Sequence, residues 1–90
     1  MSKASDKVNS QELYRAILSL ESEDECRRFF KDLCTIAELR AMEQRYDVAV
    51  LLDQGLVYSD ILERTGASSA TISRVNKALN YGEEGYKDVL

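Results

Sequence analysis

The sequence has no histidine, no proline, only two cysteines, only four glycines and no long apolar run. Each shortage closes something off. Histidine is the side chain whose ordinary pKa suits proton transfer near neutral pH, and it is the commonest metal ligand. Without it the serines and threonines lack a base to activate them, and the carboxylates sit at helix starts or on polar faces. No glycine-rich phosphate loop is present. An enzyme is therefore not expected, and neither is a metal centre. Cys26 and Cys34 stand eight positions apart within a helical pattern. That is no zinc spacing, and both are expected as reduced thiols, in the core or half-buried. No apolar stretch approaches the roughly twenty residues of a membrane span. No signal peptide is visible, so a cytoplasmic protein with no membrane partner is expected.

What is there points to helices. Apolar residues make up 44% of 90 positions, too many for a disordered chain and enough for one small domain. With no proline, and glycine only at positions 55, 66, 82 and 85, the reading is an all-α chain punctuated by glycine stops. A domain this small buries little of its own surface, so self-association would help it.

Residues 1–9 are polar and unpatterned and are expected to be a flexible N-terminus; residues 10–90 are expected to be a single helical domain. Ser10 can cap a helix from Gln11 to about Leu20, with Leu13, Ile17 and Leu20 as a stripe and Tyr14 and Leu18 beside it. Ser22–Glu25 reads as a capping box opening a second helix to about Leu33. Its Arg27, Arg28 and Lys31 are expected to be a solvated face. A second box, Thr35–Glu38, opens a long third helix from Ile36 to Gln54, stopped by Gly55. That helix is apolar over much of its girth: Ile36, Leu39, Met42, Tyr46, Ala49, Val50 and Leu52, widened by Val48 and Leu51. It should be central or lie in a subunit interface. A last amphipathic piece, about Glu84 to Leu90, offers Tyr86, Val89 and Leu90 to the core or to a partner.

Residues 58–79 carry the functional signal. They read as helix, tight turn, helix: about Ser59–Arg64, then Thr65-Gly66-Ala67, then about Ser69–Leu79. Gly66 falls where the chain must take positive φ. Ser68 offers an N-cap oxygen. Ile72, Val75 and Leu79 recur at helical spacing and can pack inward. Ser69, Ala70, Ser73, Arg74 and Lys77 fall on the other side, a face with no acid. Such a face could lie in a major groove without repulsion from phosphates, and a thymine methyl could meet Ala70 or Thr71. The plainer alternative is an ordinary helical hairpin with a glycine cap; Leu62 stands where many helix-turn-helix motifs have a small residue.

The whole chain carries a net charge of −4, which speaks against non-specific nucleic-acid binding. The distribution is uneven. Residues 1–57 sum to −3, residues 58–79 to +1 and residues 80–90 to −2, so the proposed reading block is the one positive stretch.

LCTIAELRAMEQRYDVAVLLDQG followed by TGASSATISR resembles the Trp repressor family, and most of all its small branch of YerC/YecD-type Trp-repressor-related proteins. The resemblance runs from about Leu13 to Leu79. It implies six helices per chain and an intertwined homodimer with two DNA-reading heads about one DNA turn apart. Trp repressor is itself a standard example of this docking geometry, which is carried over from the family. By matching positions, Ser69, Ala70 and Thr71 would meet base edges. Ser59, Ser73 and Lys77 would lie near phosphates, with Ser68 and Arg74 completing the DNA-facing set.

Thr35, Arg45 and Arg74 fall at the family's co-repressor positions. The glycine after the second arginine is Val75 here, and a serine that receives the amino group is Ala78. Val75 would fill space that an indole needs, and Ala78 removes a polar contact. Tryptophan is therefore not expected as co-repressor and no cofactor is expected, though the three residues could hold a smaller anion. The linker Leu56-Val57 is one residue shorter than in the repressor. The expectation is a sequence-specific DNA-binding regulator, a repressor occupying an operator. The alternative is a dimeric helical module that docks protein and no DNA.

Overall fold

The structure is a computed structural model that describes residues 11–90. The expected flexible start at residues 1–9 and the Ser10 cap lie outside the described residues. Six helices follow in order, with no strand among the described residues: α1 Gln11–Leu18, α2 Glu23–Leu33, α3 Ile36–Asp53, α4 Tyr58–Thr65, α5 Ser69–Tyr81 and α6 Gly85–Val89. They fall into two compact units, one ending at Thr35 and the other spanning Ile36–Leu90.

The first unit holds α1 and α2. Helix α1 ends two residues before the periodicity suggests. The Ser19 hydroxyl donates to the Ala16 carbonyl at 2.6 Å, and Leu20 N–H reaches back only to Ile17 O, so the last turn tightens instead of continuing. The expected stripe divides accordingly: Ile17 and Leu20 are half-buried, while Leu18 is 85% exposed. In α2 the Ser22 side chain accepts the Glu25 N–H at 3.0 Å, as the capping pattern requires. The return bond lands one residue earlier than the usual box, with Glu21 N–H donating to Glu25 Oε1 at 2.9 Å. Arg27 pairs with Glu23 at 2.7 Å and Arg28 with Asp24 at 3.0 Å, each one helical turn back and in solvent. The basic run is thus a solvated face, with Arg27 and Arg28 paired along the helix and Lys31 exposed beside them. Phe29 and Phe30 meet edge to face at 5.4 Å. Cys26 and Cys34 are free, half-buried thiols. No side chain of α1 or α2 is fully buried.

The second unit has the core. Val48 and Ala49 of α3, Ile61 of α4, Ala67 of the turn, and Ile72 and Val75 of α5 are all buried; Leu51, Leu52, Leu56 and Tyr86 pack around them. Val48, which widens the α3 stripe, is fully buried in this cluster, and α3 packs on both α4 and α5. Ile36, at the other end of the stripe, is 74% exposed. Helix α3 stops at Gly55, whose φ is +88°. Leu56 N–H reaches Leu51 O and Gly55 N–H reaches Leu52 O, the paired bonds of a Schellman cap. Helix α6 follows Glu84, itself at φ +64°. Tyr86 stacks on Tyr46 of α3, while Val89 remains exposed.

Candidate nucleic-acid interface

The interface is built outward from Gly66. At φ +72° and ψ 5° it turns the chain sharply at the end of α4, and its N–H bonds to Leu62 O. A Cβ there would meet nothing within 4 Å, so backbone conformation, and not crowding, calls for glycine. Thr65 completes the turn. Its hydroxyl donates to Ile61 O at 2.7 Å and accepts Ala67 N–H at 3.1 Å. Ala67 is buried, which presses the turn against the core. Ser68 then caps α5, accepting Thr71 N–H at 3.2 Å, and its hydroxyl lies 3.1 Å from that of Thr71.

From that start α5 has two faces. Ile72 and Val75 are fully buried, with Leu79 half-buried behind them. Ser69, Ala70, Ser73, Arg74 and Lys77 are exposed, and Thr71 is half-buried at the boundary. Buried residues on one side and a short, hydroxyl-rich and basic set on the other is what a groove-reading helix needs. Arg74 and Lys77 make no ion pair with any described residue, unlike Arg27 and Arg28. Their charge is therefore available to a partner. Ser59 is exposed in the first turn of α4, whose N-cap residue, Val57, supplies no side-chain bond. Asp60 and Glu63 are exposed on the same helix. Leu62 is 46% exposed, and α4 therefore accommodates it without disturbing the packing of Ile61.

The residues read as a possible small-ligand set are placed as follows. Arg45 is half-buried on α3 and Arg74 exposed on α5, each without an ion pair among the described residues. Thr35 closes the first unit. A cavity of about 430 Å³ opens between α3, α5 and α6, lined by Tyr46, Ala78, Gly82, Glu83, Tyr86 and Val89 among others; neither arginine lines it. Val75 is buried, with its volume already committed to the core. No group of three or more histidine, cysteine, aspartate or glutamate residues among the described residues could hold a metal ion. No described helix is long and apolar enough to cross a membrane.

One contact escaped the sequence reading. Gln44 of α3 donates through Nε2 to the main-chain carbonyl of Thr65 at 3.1 Å, in a half-buried position. The two residues are 21 positions apart, and neither helical periodicity nor capping pattern carries a signal for it.

The pattern of the family described as Trp repressor protein matches residues 9–90. The chain is 49% identical over 88 residues to the uncharacterized protein YerC of Bacillus subtilis (strain 168), a match covering 94% of this chain and 85% of that one. Among solved structures it is similar to a provisionally named Trp repressor from Staphylococcus aureus, with 46% identity and a TM-score of 0.85, covering 89% of this chain and 80% of that one. It is also similar to a TrpR-like protein from Eubacterium eligens ATCC 27750, with 53% identity and a TM-score of 0.84, covering 88% and 81%.

Proposed function

This chain belongs to the Trp repressor family, and from that premise we propose that it is a sequence-specific DNA-binding regulator, acting as a homodimer that represses by occupying an operator. One observation carries the reading: α5 buries Ile72 and Val75 while its exposed, acid-free face presents Arg74 and Lys77 without an ion pair among the described residues. In the proposed complex Ser69, Ala70 and Thr71 approach base edges, and Ser59, Ser73 and Lys77 approach phosphates. Ser68 orders the first turn of α5, and Arg74 adds charge beside the groove. Cations on that face, with no ion pair among the described residues, raise affinity for a polyanion.

Pairing of two chains would bring two such heads to one face of the duplex, at half-sites about one DNA turn apart. It would also cover apolar side chains that the described part of one chain leaves in water, such as Leu18, Leu33 and Ile36. Tryptophan is not the effector in this reading, since Val75 occupies volume that an indole would need and Ala78 offers no hydroxyl.

The decisive experiment is selection of duplex fragments from a random-sequence pool by the purified protein, with sedimentation to give the number of chains. Enrichment of a two-part motif by a two-chain species is the expected result. Loss of no affinity in the double variant Arg74→Ala, Lys77→Ala would remove the basis of the reading. A second reading is a helical module that docks protein; exposed Asp60 and Glu63 on α4 and the net charge of −4 favour it. Failure to enrich any duplex would favour it over the first.

A further inference from the structure

Three hydrogen bonds converge on Thr65, and they do different work. Two come from its hydroxyl, to Ile61 O and from Ala67 N–H, and both lie within the helix-turn-helix. They set the shape of the turn. The third comes from outside, from the Gln44 amide on α3 to the Thr65 carbonyl. A carbonyl in the last turn of a helix has no partner within that helix. Here α3 supplies one, in a half-buried place where an unmet acceptor is costly.

We infer that Gln44 is a positioning residue that sets the aim of the reading head: it ties the turn between α4 and α5 to α3, so that the exposed face of α5 is held at one angle. This deepens the DNA-binding reading and rests on it for its consequence. The two internal bonds can survive loss of Gln44, so the head keeps its shape and loses its orientation. Apolar packing of Ile61, Ile72 and Val75 on Val48 and Ala49 is non-directional and permits sliding. A hydrogen bond requires a donor at one place and in one direction. Only the nitrogen of the amide can donate, so the carbonyl partner also decides which way the Gln44 amide is turned.

The chemistry provides a test in the replacement Gln44→Glu. A carboxylate of the same shape has no proton to donate and places negative charge against the Thr65 carbonyl. Protonated, it regains one donor. Gln44→Met keeps similar bulk and has no donor at any pH. The wild-type chain contains no histidine, so it has no side chain of ordinary pKa between about 5 and 8. The charged residues close to the pair in sequence, Glu43, Arg45 and Asp47 around Gln44 and Glu63 and Arg64 before Thr65, are common to both proteins. The ratio of variant to wild type removes their part.

The experiment uses the full chain and duplexes enriched by the wild type from a random pool. For Gln44→Glu, relative affinity is expected about tenfold down at pH about 8 and recovering as the pH falls toward 5, while Gln44→Met stays down throughout. Helical circular dichroism at each pH confirms that both variants are folded. In the free proteins, backbone relaxation is expected to show slow motion of α4 and α5 relative to α3 in the Met variant at any pH, and in the Glu variant only at the higher pH. A Gln44→Glu ratio that is flat with pH, together with unchanged relaxation, overturns the inference. If the wild type enriches no duplex, the DNA reading falls, and the relaxation measurement alone still decides whether Gln44 fixes the head.

Discussion

The rings of Tyr46 and Tyr86 stack with centroids 6.4 Å apart and planes 30° apart, joining α3 to α6. Helix α6 is only five residues long and follows Glu84, a side-chain residue at φ +64°. A helix of that length does not hold itself together in water. The ring contact, together with packing on α5, is tertiary support for it. Tyr86→Ala is expected to cost about 1–2 kcal/mol, and Tyr86→Phe, which keeps the ring, well under 1 kcal/mol. Urea unfolding of the two variants checks this; equal losses would mean that the hydroxyl and not the ring holds α6.

Gly66→Ala should destabilise the protein by about 1 kcal/mol, since alanine pays for φ +72° in backbone strain while its methyl group meets open space. Gly66→Asn should cost less, because asparagine tolerates this region better. Chemical denaturation of both variants tests the order, and a larger loss for Asn than for Ala would contradict the account of the turn.

Ser68→Ala removes the acceptor for Thr71 N–H and should cost about 1 kcal/mol. Ser68→Asp should largely restore stability, because aspartate caps equally well and places negative charge at a helix N-terminus. It should nevertheless weaken binding to an enriched duplex, since the added charge opposes phosphate. Thermal unfolding beside a binding titration separates the two effects, and parallel behaviour in both assays would place Ser68 outside the DNA-facing set.

Arg74→Ala and Lys77→Ala should leave the unfolding midpoint nearly unchanged, as both side chains are exposed and unpaired among the described residues. Each residue that neutralises a phosphate should lower the slope of log affinity against log salt by about 0.9 when removed. Titrations at several salt concentrations measure that slope. A slope that stays constant in the double variant would show that this face does not meet the phosphate backbone.

The parts of the fold that were legible in advance are those written within a few residues of one another. Gly66 at positive φ, Ser68 as cap, Ser22 accepting from Glu25, and Ile72 and Val75 inward all follow from local spacing. Element ends were less readable. Alpha-helical periodicity counts Leu18 and Leu20 alike, but the Ser19 hydroxyl bonds to Ala16 O and ends α1 between them. Likewise α5 runs two residues beyond Leu79, to Tyr81, because Gly82 and not the apolar pattern ends it. Leu62 illustrates a different limit: its apolar character is plain in the sequence, whereas its exposure depends on where α3 and α5 lie. The same holds at the candidate site. The exposed face of α5 could be drawn from spacing alone, while Gln44 meeting Thr65 needs the fold.

Helices α1 and α2 keep no side chain wholly out of water within one chain. A stretch with so little interior cannot supply much of its own cohesion. If a second copy provides the missing interior, order in those helices becomes a bimolecular property. Each tenfold dilution then subtracts about 1.4 kcal/mol from the assembled state. The amount of protein in a cell would then act as a control of its own: below a threshold copy number the chain would be exposed to proteases.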